Sequence, residues 1–231
     1  MRLGKILNET FGMVYIKNLP ESTERKRLIK ESFDKVGLKY EIENAFDGRE
    51  FVAEDFKFRH NKREVSYPAS AGFFGGQLST IRTMLNEISK GSESCILCDD
   101  DCFVRETDFL SVAVLETIKT NLPEDWEIVL FSDLKYDGPI NSIKEFTYFR
   151  CDKCWSQAAG SHAIAIRSSV YKPFLLELIM MDKWGDRCVG EMIEQNRKVY
   201  GIIPNLIMQD RNQYSVMNRT FHNNYIIPRN V

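Results

Sequence analysis

The sequence predicts an α/β protein built on a mostly parallel sheet with helices on both faces. Three observations carry this reading. Short β-branched and aromatic runs alternate with amphipathic stretches of helical period. Their order through residue 132 is β-α-β-α-β-α-β, which calls for right-handed crossovers in a parallel sheet. No repeat, low-complexity tract or Gly/Ser linker divides the chain, so residues 1–231 are read as one domain.

The elements follow in order. Val14-Tyr-Ile-Lys-Asn-Leu19 is a strand ended by Pro20. Ser22 or Thr23 caps a helix whose apolar face is Leu28, Ile29, Phe33 and Val36, and Gly37 stops it. Lys39–Glu43 alternates as a second strand and leads to the turn Phe46-Asp47-Gly48. Residues 49–70 are charged and irregular, and a loop is expected there. A helix is expected from about Gly76 to Lys90, with Leu78, Ile81, Met84, Leu85 and Ile88 on one face. Ser94–Cys98 is a buried strand that stops at Asp99-Asp-Asp101. A helix from about Thr107 to Thr120 and a strand over Glu127–Ser132 complete the first half. Beyond a loop at 133–145, strands are expected at Phe146–Phe149, His162–Arg167 and Val199–Ile203. Helices are expected from about Ser168 and over about Asp186–Asn196, and residues 205–231 read as a polar tail.

Composition narrows the function. The 231 residues include 15 Phe, 9 Tyr and 3 Trp, a load that needs a packed interior. A net charge of −2 argues against a broad nucleic-acid surface. No stretch approaches the ~20 apolar residues of a membrane span, and the first ten residues lack the apolar core of a signal peptide. A cytoplasmic, soluble protein is the expectation. Six cysteines are too sparse for a disulfide scaffold.

The strongest chemical signal is the acid triplet. Three adjacent carboxylates at the end of an apolar strand repel one another unless they are solvated or share a cation. In open α/β sheets the carboxyl ends of strands are where ligands bind. Hard oxygen ligands in that place suit Mn²⁺ or Mg²⁺ shared with a diphosphate, while a solvated acidic turn is the plain alternative.

Several segments together resemble glycosyltransferase family 25, which includes lipooligosaccharide and collagen galactosyltransferases. They are the strand ending in Asn18-Leu19 with the Arg-containing helix after it, and Ala45-Phe-Asp-Gly48. Gly75-Gly-Gln-Leu-Ser79, Ile96-Leu-Cys-Asp-Asp100 and the late Pro204-Asn-Leu-Ile-Met-Gln209 complete the set. Thr80 stands where the family usually has His, and Cys98 where it has the first acid of Glu-Asp-Asp. The resemblance implies the glycosyltransferase type A fold, a nucleotide-sugar donor and a divalent metal on its diphosphate. Residues 14–132 would then form the nucleotide-sugar and metal half, and residues 133–231 the acceptor half and tail. It implies inverting transfer of a hexose, galactose or glucose, from a UDP-sugar to a glycan, lipid-linked or protein acceptor. A binding module or a nucleotidyltransferase on the same scaffold stays open as the alternative.

Site residues follow from the resemblance. Asn18, Arg25, Asp47, Ser79 and Asp99 are expected at the donor. Asp99 and Asp101 form the Asp-x-Asp pair for the metal, with His222 of the tail as a further ligand. Asp186 is the expected catalytic base. It follows a glycine at a helix start, where a carboxylate is held in orientation, although Asp is also an ordinary N-cap there. The pair Cys95 and Cys98 lies on one strand with side chains on opposite faces, so it cannot chelate zinc. Cys151 and Cys154 form a second C-x-x-C.

Overall fold

The computed structural model describes residues 3–53, 55, 57–60, 63–66, 69–104, 112–131, 146–152, 161–210, 214–215 and 220–221. The chain opens with α1 (Leu3–Phe11), β1 (Met13–Asn18), α2 (Thr23–Val36) and β2 (Tyr40–Asn44). A short 3-10 turn, Gly48–Glu50, precedes the hairpin β3 (Lys57–His60) and β4 (Arg63–Ser66). Next come α3 (Ala69–Lys90), β5 (Ser94–Asp99), β6 (Cys102–Val104), α4 (Val112–Thr120) and β7 (Ile128–Leu130). The second half holds β8 (Thr147–Arg150), β9 (Ala163–Arg167), α5 (Tyr171–Ile179), α6 (Gly185–Glu194), β10 (Val199–Ile203) and β11 (Ile207–Gln209). Two-residue strands β12 (Tyr214–Ser215) and β13 (Thr220–Phe221) pair with each other.

The main sheet has seven strands in the order β2-β1-β5-β9-β7-β10-β8. Five of them, β2, β1, β5, β7 and β10, share one direction, and β9 and β8 oppose it. The fold is therefore α/β with a mostly parallel, mixed sheet, as the sequence predicts. Strand alternation sends successive side chains to opposite faces. Val14, Ile16, Ile96, Cys98 and Val129 meet α1, α2 and α4 on one face. Tyr15, Cys95, Leu97, Ile128 and Ile166 meet α3, α5 and α6 on the other.

Several expectations are corrected. The first residues form α1, whose Ile6, Leu7 and Phe11 are fully buried. Phe11 meets Trp126 and Phe131 edge-on at 5.5 and 5.2 Å, contacts worth ~0.5–1.5 kcal/mol each beyond their burial. The expected loop at 49–70 contains the hairpin, and α3 begins at Ala69, seven residues before the glycine pair would suggest. Gly75 and Gly76 are tolerated inside it, and Gly75 is needed there: a Cβ would stand 2.4 Å from the Phe46 carbonyl oxygen. The expected polar tail starts with Leu206 and Ile207, both fully buried, and β11 pairs with β6. Of the helix expected over 107–120, residues 112–120 are described and helical. His222 and Cys154 lie outside the described residues.

Candidate functional site

The carboxyl ends of β1 and β5 meet in register, with Lys17 opposite Asp99. Residues two back, Tyr15 and Leu97, face α3, so Lys17 and Asp99 face it too. Lys17 Nζ lies 2.8 Å from Asp99 Oδ1 and donates to Thr80 Oγ1 on α3 at 3.1 Å. Burial works against this ammonium, but the adjacent Asp99 carboxylate outweighs it and raises its pKa above the usual lysine value. The Asp99 side chain remains 43% exposed.

Asp100 turns to the other face. Arg25 Nη1 of α2 donates to its Oδ1 at 2.6 Å, and Asn18 Nδ2 donates to its Oδ2 at 2.7 Å. Asp100 and Asn18 are both buried, at 7% and 2% exposure. Burial raises the Asp100 pKa, and the Arg25 guanidinium opposes that.

Asp101 is 9% exposed. Gln209 Nε2, at the end of β11, donates to its Oδ2 at 3.0 Å, and Arg25 Nη2 is 3.9 Å from the same oxygen. Its backbone carbonyl accepts from Asp210 N at 2.7 Å. Among the described residues, Oδ1 is buried with no hydrogen-bond partner. Burial first, and the Asp99 charge second, push this carboxyl up to about 7. A buried carboxylate oxygen with no donor, beside a second carboxylate, has the chemistry of a divalent-cation ligand. Among the described residues no three His, Cys, Asp or Glu side chains gather as a complete metal site. Two carboxylates with donor oxygens and water are the usual economy of a Mg²⁺ site.

The structure thus brings Asn18, Arg25, Asp99 and Asp101 together at one sheet end. Asp47 belongs to the adjoining turn and Ser79 to α3, which packs against it. Asp47 accepts from Arg49 N at 2.9 Å, capping the 3-10 turn, and Arg49 also pairs with Glu21. Ser79 is buried. Its Oγ donates to the Gly75 carbonyl at 2.7 Å and accepts from Phe46 N at 2.8 Å, so it fixes the turn from beneath. Cys98 is buried in the core against α1 and α2. The thiol that replaces an acid therefore lies below the site, and the carboxylates begin at Asp99.

Asp186 sits in the first turn of α6, and its Oδ1 accepts from Arg187 N at 2.8 Å. A close approach and a hydrogen bond relate this helix start to the acid cluster. A Cβ on Gly185 would lie 3.2 Å from Ser161 Oγ, and the carbonyl of the next residue, His162, accepts from Asp99 N at 2.8 Å. On α3, Gln77 Nε2 donates to the Lys183 carbonyl at 3.0 Å, one turn before the Thr80 that touches Lys17.

Sequence reasoning missed Lys17 and Gln209 as site residues. A lysine at a core-facing strand position was the available signal for the first. Gln209 was visible only as the last residue of a motif far along the chain.

The carboxyl ends of the parallel strands, where these charged side chains gather, are where open α/β sheets generally bind their ligands. The family model for glycosyltransferase family 25, described as an LPS biosynthesis protein, matches residues 11–171. The chain belongs to that family and is a glycosyltransferase. Its mixed sheet agrees with the type A fold that the sequence resemblance implies. Among curated proteins none matches the chain in sequence. Among solved structures it is similar to a glycosyltransferase involved in the glycosylation of the major capsid of PBCV-1. That likeness has a TM-score of 0.45 at 10% identity, over 85% of this chain and 92% of that one. It is also similar to A197 from STIV, with a TM-score of 0.42 at 12% identity, over 82% of this chain and 80% of that one. No helix among the described residues is long and apolar enough to cross a membrane.

Proposed function

We propose that the chain moves a hexose from a UDP-sugar to an acceptor hydroxyl with inversion, using Mn²⁺ or Mg²⁺. The observation that carries this reading is the buried Asp101 Oδ1, which has no hydrogen-bond donor among the described residues and stands beside Asp99 at the end of β5. Asp99 and Asp101 would hold the cation. When bound, it offsets the negative charge that develops on the departing diphosphate.

The chain's own residues do the rest. Asn18 and Arg25 fix Asp100, and through it the turn that carries Asp101. Ser79 and Asp47 hold the neighbouring turn as the wall of the donor pocket. Asp186 takes the proton from the acceptor hydroxyl as that oxygen bonds to the anomeric carbon. The bond from that carbon to the diphosphate oxygen breaks, and the nucleoside diphosphate leaves with the electron pair. The contacts through Ser161 and His162, and through Gln77, support Asp186 as the base because they bring its helix start to the Asp99 end of the sheet.

A thermal-shift screen of nucleotides with and without Mn²⁺ tests the reading. UDP should stabilise the chain only with the metal, by ~2.7 kcal/mol at one hundred times its dissociation constant. A response restricted to nucleoside triphosphates would replace sugar transfer with nucleotidyl transfer.

A further inference from the structure

We propose that Lys17 is an exchangeable counter-ion of Asp99 that becomes a ligand of the donor's diphosphate. The inference rests on the donor reading above and adds a residue to it. The ammonium is anchored at the carboxyl end of β1 by Asp99 Oδ1 at 2.8 Å and Thr80 Oγ1 at 3.1 Å. Those two contacts use two of its three N–H donors. The side chain is 17% exposed, and that of Asp99 beside it 43%.

The position itself argues for a function. Lys17 is two residues on from Tyr15, on the face that α3, α5 and α6 cover, where a strand ordinarily supplies an apolar side chain. Burying most of an ammonium is costly and is tolerated only with a partner. Thr80 makes the space: its hydroxyl donates to the Gly76 carbonyl at 3.0 Å and accepts from Lys17. A larger side chain there would compete for the place of the ammonium.

Charge balance gives the direction of the exchange. Among the described residues the cations Lys17 and Arg25 lie against Asp99, Asp100 and Asp101, so the carboxylates outnumber the cations that pair with them. A divalent cation and the two negative charges of a sugar diphosphate add no net charge. The cation and the ammonium compete for Asp99, because both need the same carboxylate and repel each other across it. When the cation takes Asp99, the freed ammonium has the incoming diphosphate as its partner. Lysine suits this task, since it is a point charge on a flexible stem.

Two titrations of the full chain, with opposite expected signs, test this. With Mn²⁺ present, Lys17→Met should bind UDP about tenfold more weakly, the loss of one charge-assisted hydrogen bond. With Mn²⁺ alone, followed by the electron-spin resonance of the free ion, Lys17→Met should bind it more tightly than the wild-type chain. An ion pair with no role toward the diphosphate would leave UDP affinity unchanged. Thr80→Val keeps the lysine and removes its anchor, and should give a smaller loss of UDP affinity, which serves if Lys17→Met melts early. Equal UDP affinity in the wild-type and Lys17→Met chains, or unchanged or weaker Mn²⁺ binding in Lys17→Met, overturns the proposal. Titration with inorganic pyrophosphate in place of UDP, with Mn²⁺ present, separates it from the donor reading. Loss of pyrophosphate binding in Lys17→Met, in a chain that ignores UDP, would keep Lys17 as the phosphate ligand and discard the nucleotide.

Discussion

Gln209 reaches across 108 residues of sequence to donate its amide to Asp101 Oδ2 at 3.0 Å. The pairing of β11 with β6 sets this contact, because Gln209 lies opposite Cys102, the residue after Asp101. The late segment therefore closes the back of the acid cluster, and one oxygen of Asp101 is held while the other has no donor among the described residues.

That contact predicts a positioning role. Gln209→Leu should leave the chain folded, since most single losses of a hydrogen bond cost ~1 kcal/mol. It should weaken Mn²⁺-dependent UDP binding by about tenfold. Asp101→Ala should abolish that binding. Isothermal titration of both variants checks the order of the two effects.

Arg25 is the structural cation of the cluster. Arg25→Met strips Asp100 of its ion pair in a buried setting, a change that costs ~3–5 kcal/mol. The melting temperature should fall by roughly 6–20 °C for a chain of this size. The double variant Arg25→Met with Asp100→Leu should recover part of the loss. Calorimetry of the three chains measures both.

Gly48 of the 3-10 turn and Gly75 of α3, packed against it, cannot carry a side chain. A Cβ on Gly48 would stand 1.7 Å from the Ala71 carbonyl oxygen, and one on Gly75 would stand 2.7 Å from Gly48 N. Gly48→Ala and Gly75→Ala should each destabilise the chain by several kcal/mol, as overpacking against backbone does. Gly76 has open space around it inside α3, so Gly76→Ala should stabilise by ~0.5–1 kcal/mol. Urea unfolding of the three variants gives the contrast.

Asp186→Asn preserves the acceptor that takes the Arg187 N–H but cannot take a proton. Turnover should fall by ~10²-fold or more with donor binding unchanged. A kinetic and binding comparison decides, and near-normal turnover would move the search to Asp182 and Glu191.

Below the second face of the sheet, Glu87 accepts from Tyr15 Oη at 2.6 Å and pairs with Lys90 at 2.9 Å. Burial pushes the Glu87 pKa up, but the Tyr15 hydrogen bond and Lys90 outweigh it, so its pKa lies below 4.5. The folded state therefore holds this proton off. Its contribution to stability is present above about pH 4.5 and is lost as the pH falls through the folded value. Glu87→Gln should flatten the acid limb of a stability–pH curve measured by urea titration.

The sequence by itself determined most of the frame. The strands at Val14–Asn18 and Ser94–Cys98 declare themselves by β-branched and apolar runs cut off by Pro20 and by the acid triplet. The helix ending at Gly37 declares itself by period and by a left-handed stop, with φ 71° at that glycine. The acid cluster was legible because three adjacent carboxylates at a strand end need a reason. What the sequence could not decide was each carboxylate's partner. Strand register set Lys17 against Asp99, and helix packing set Arg25 against Asp100. The buried return of the chain through Leu206 and Ile207 set Gln209 against Asp101. Those pairings join residues 75 to 108 positions apart. Local propensity acts over a few residues, so only the closing of the sheet and its two apolar faces could choose them.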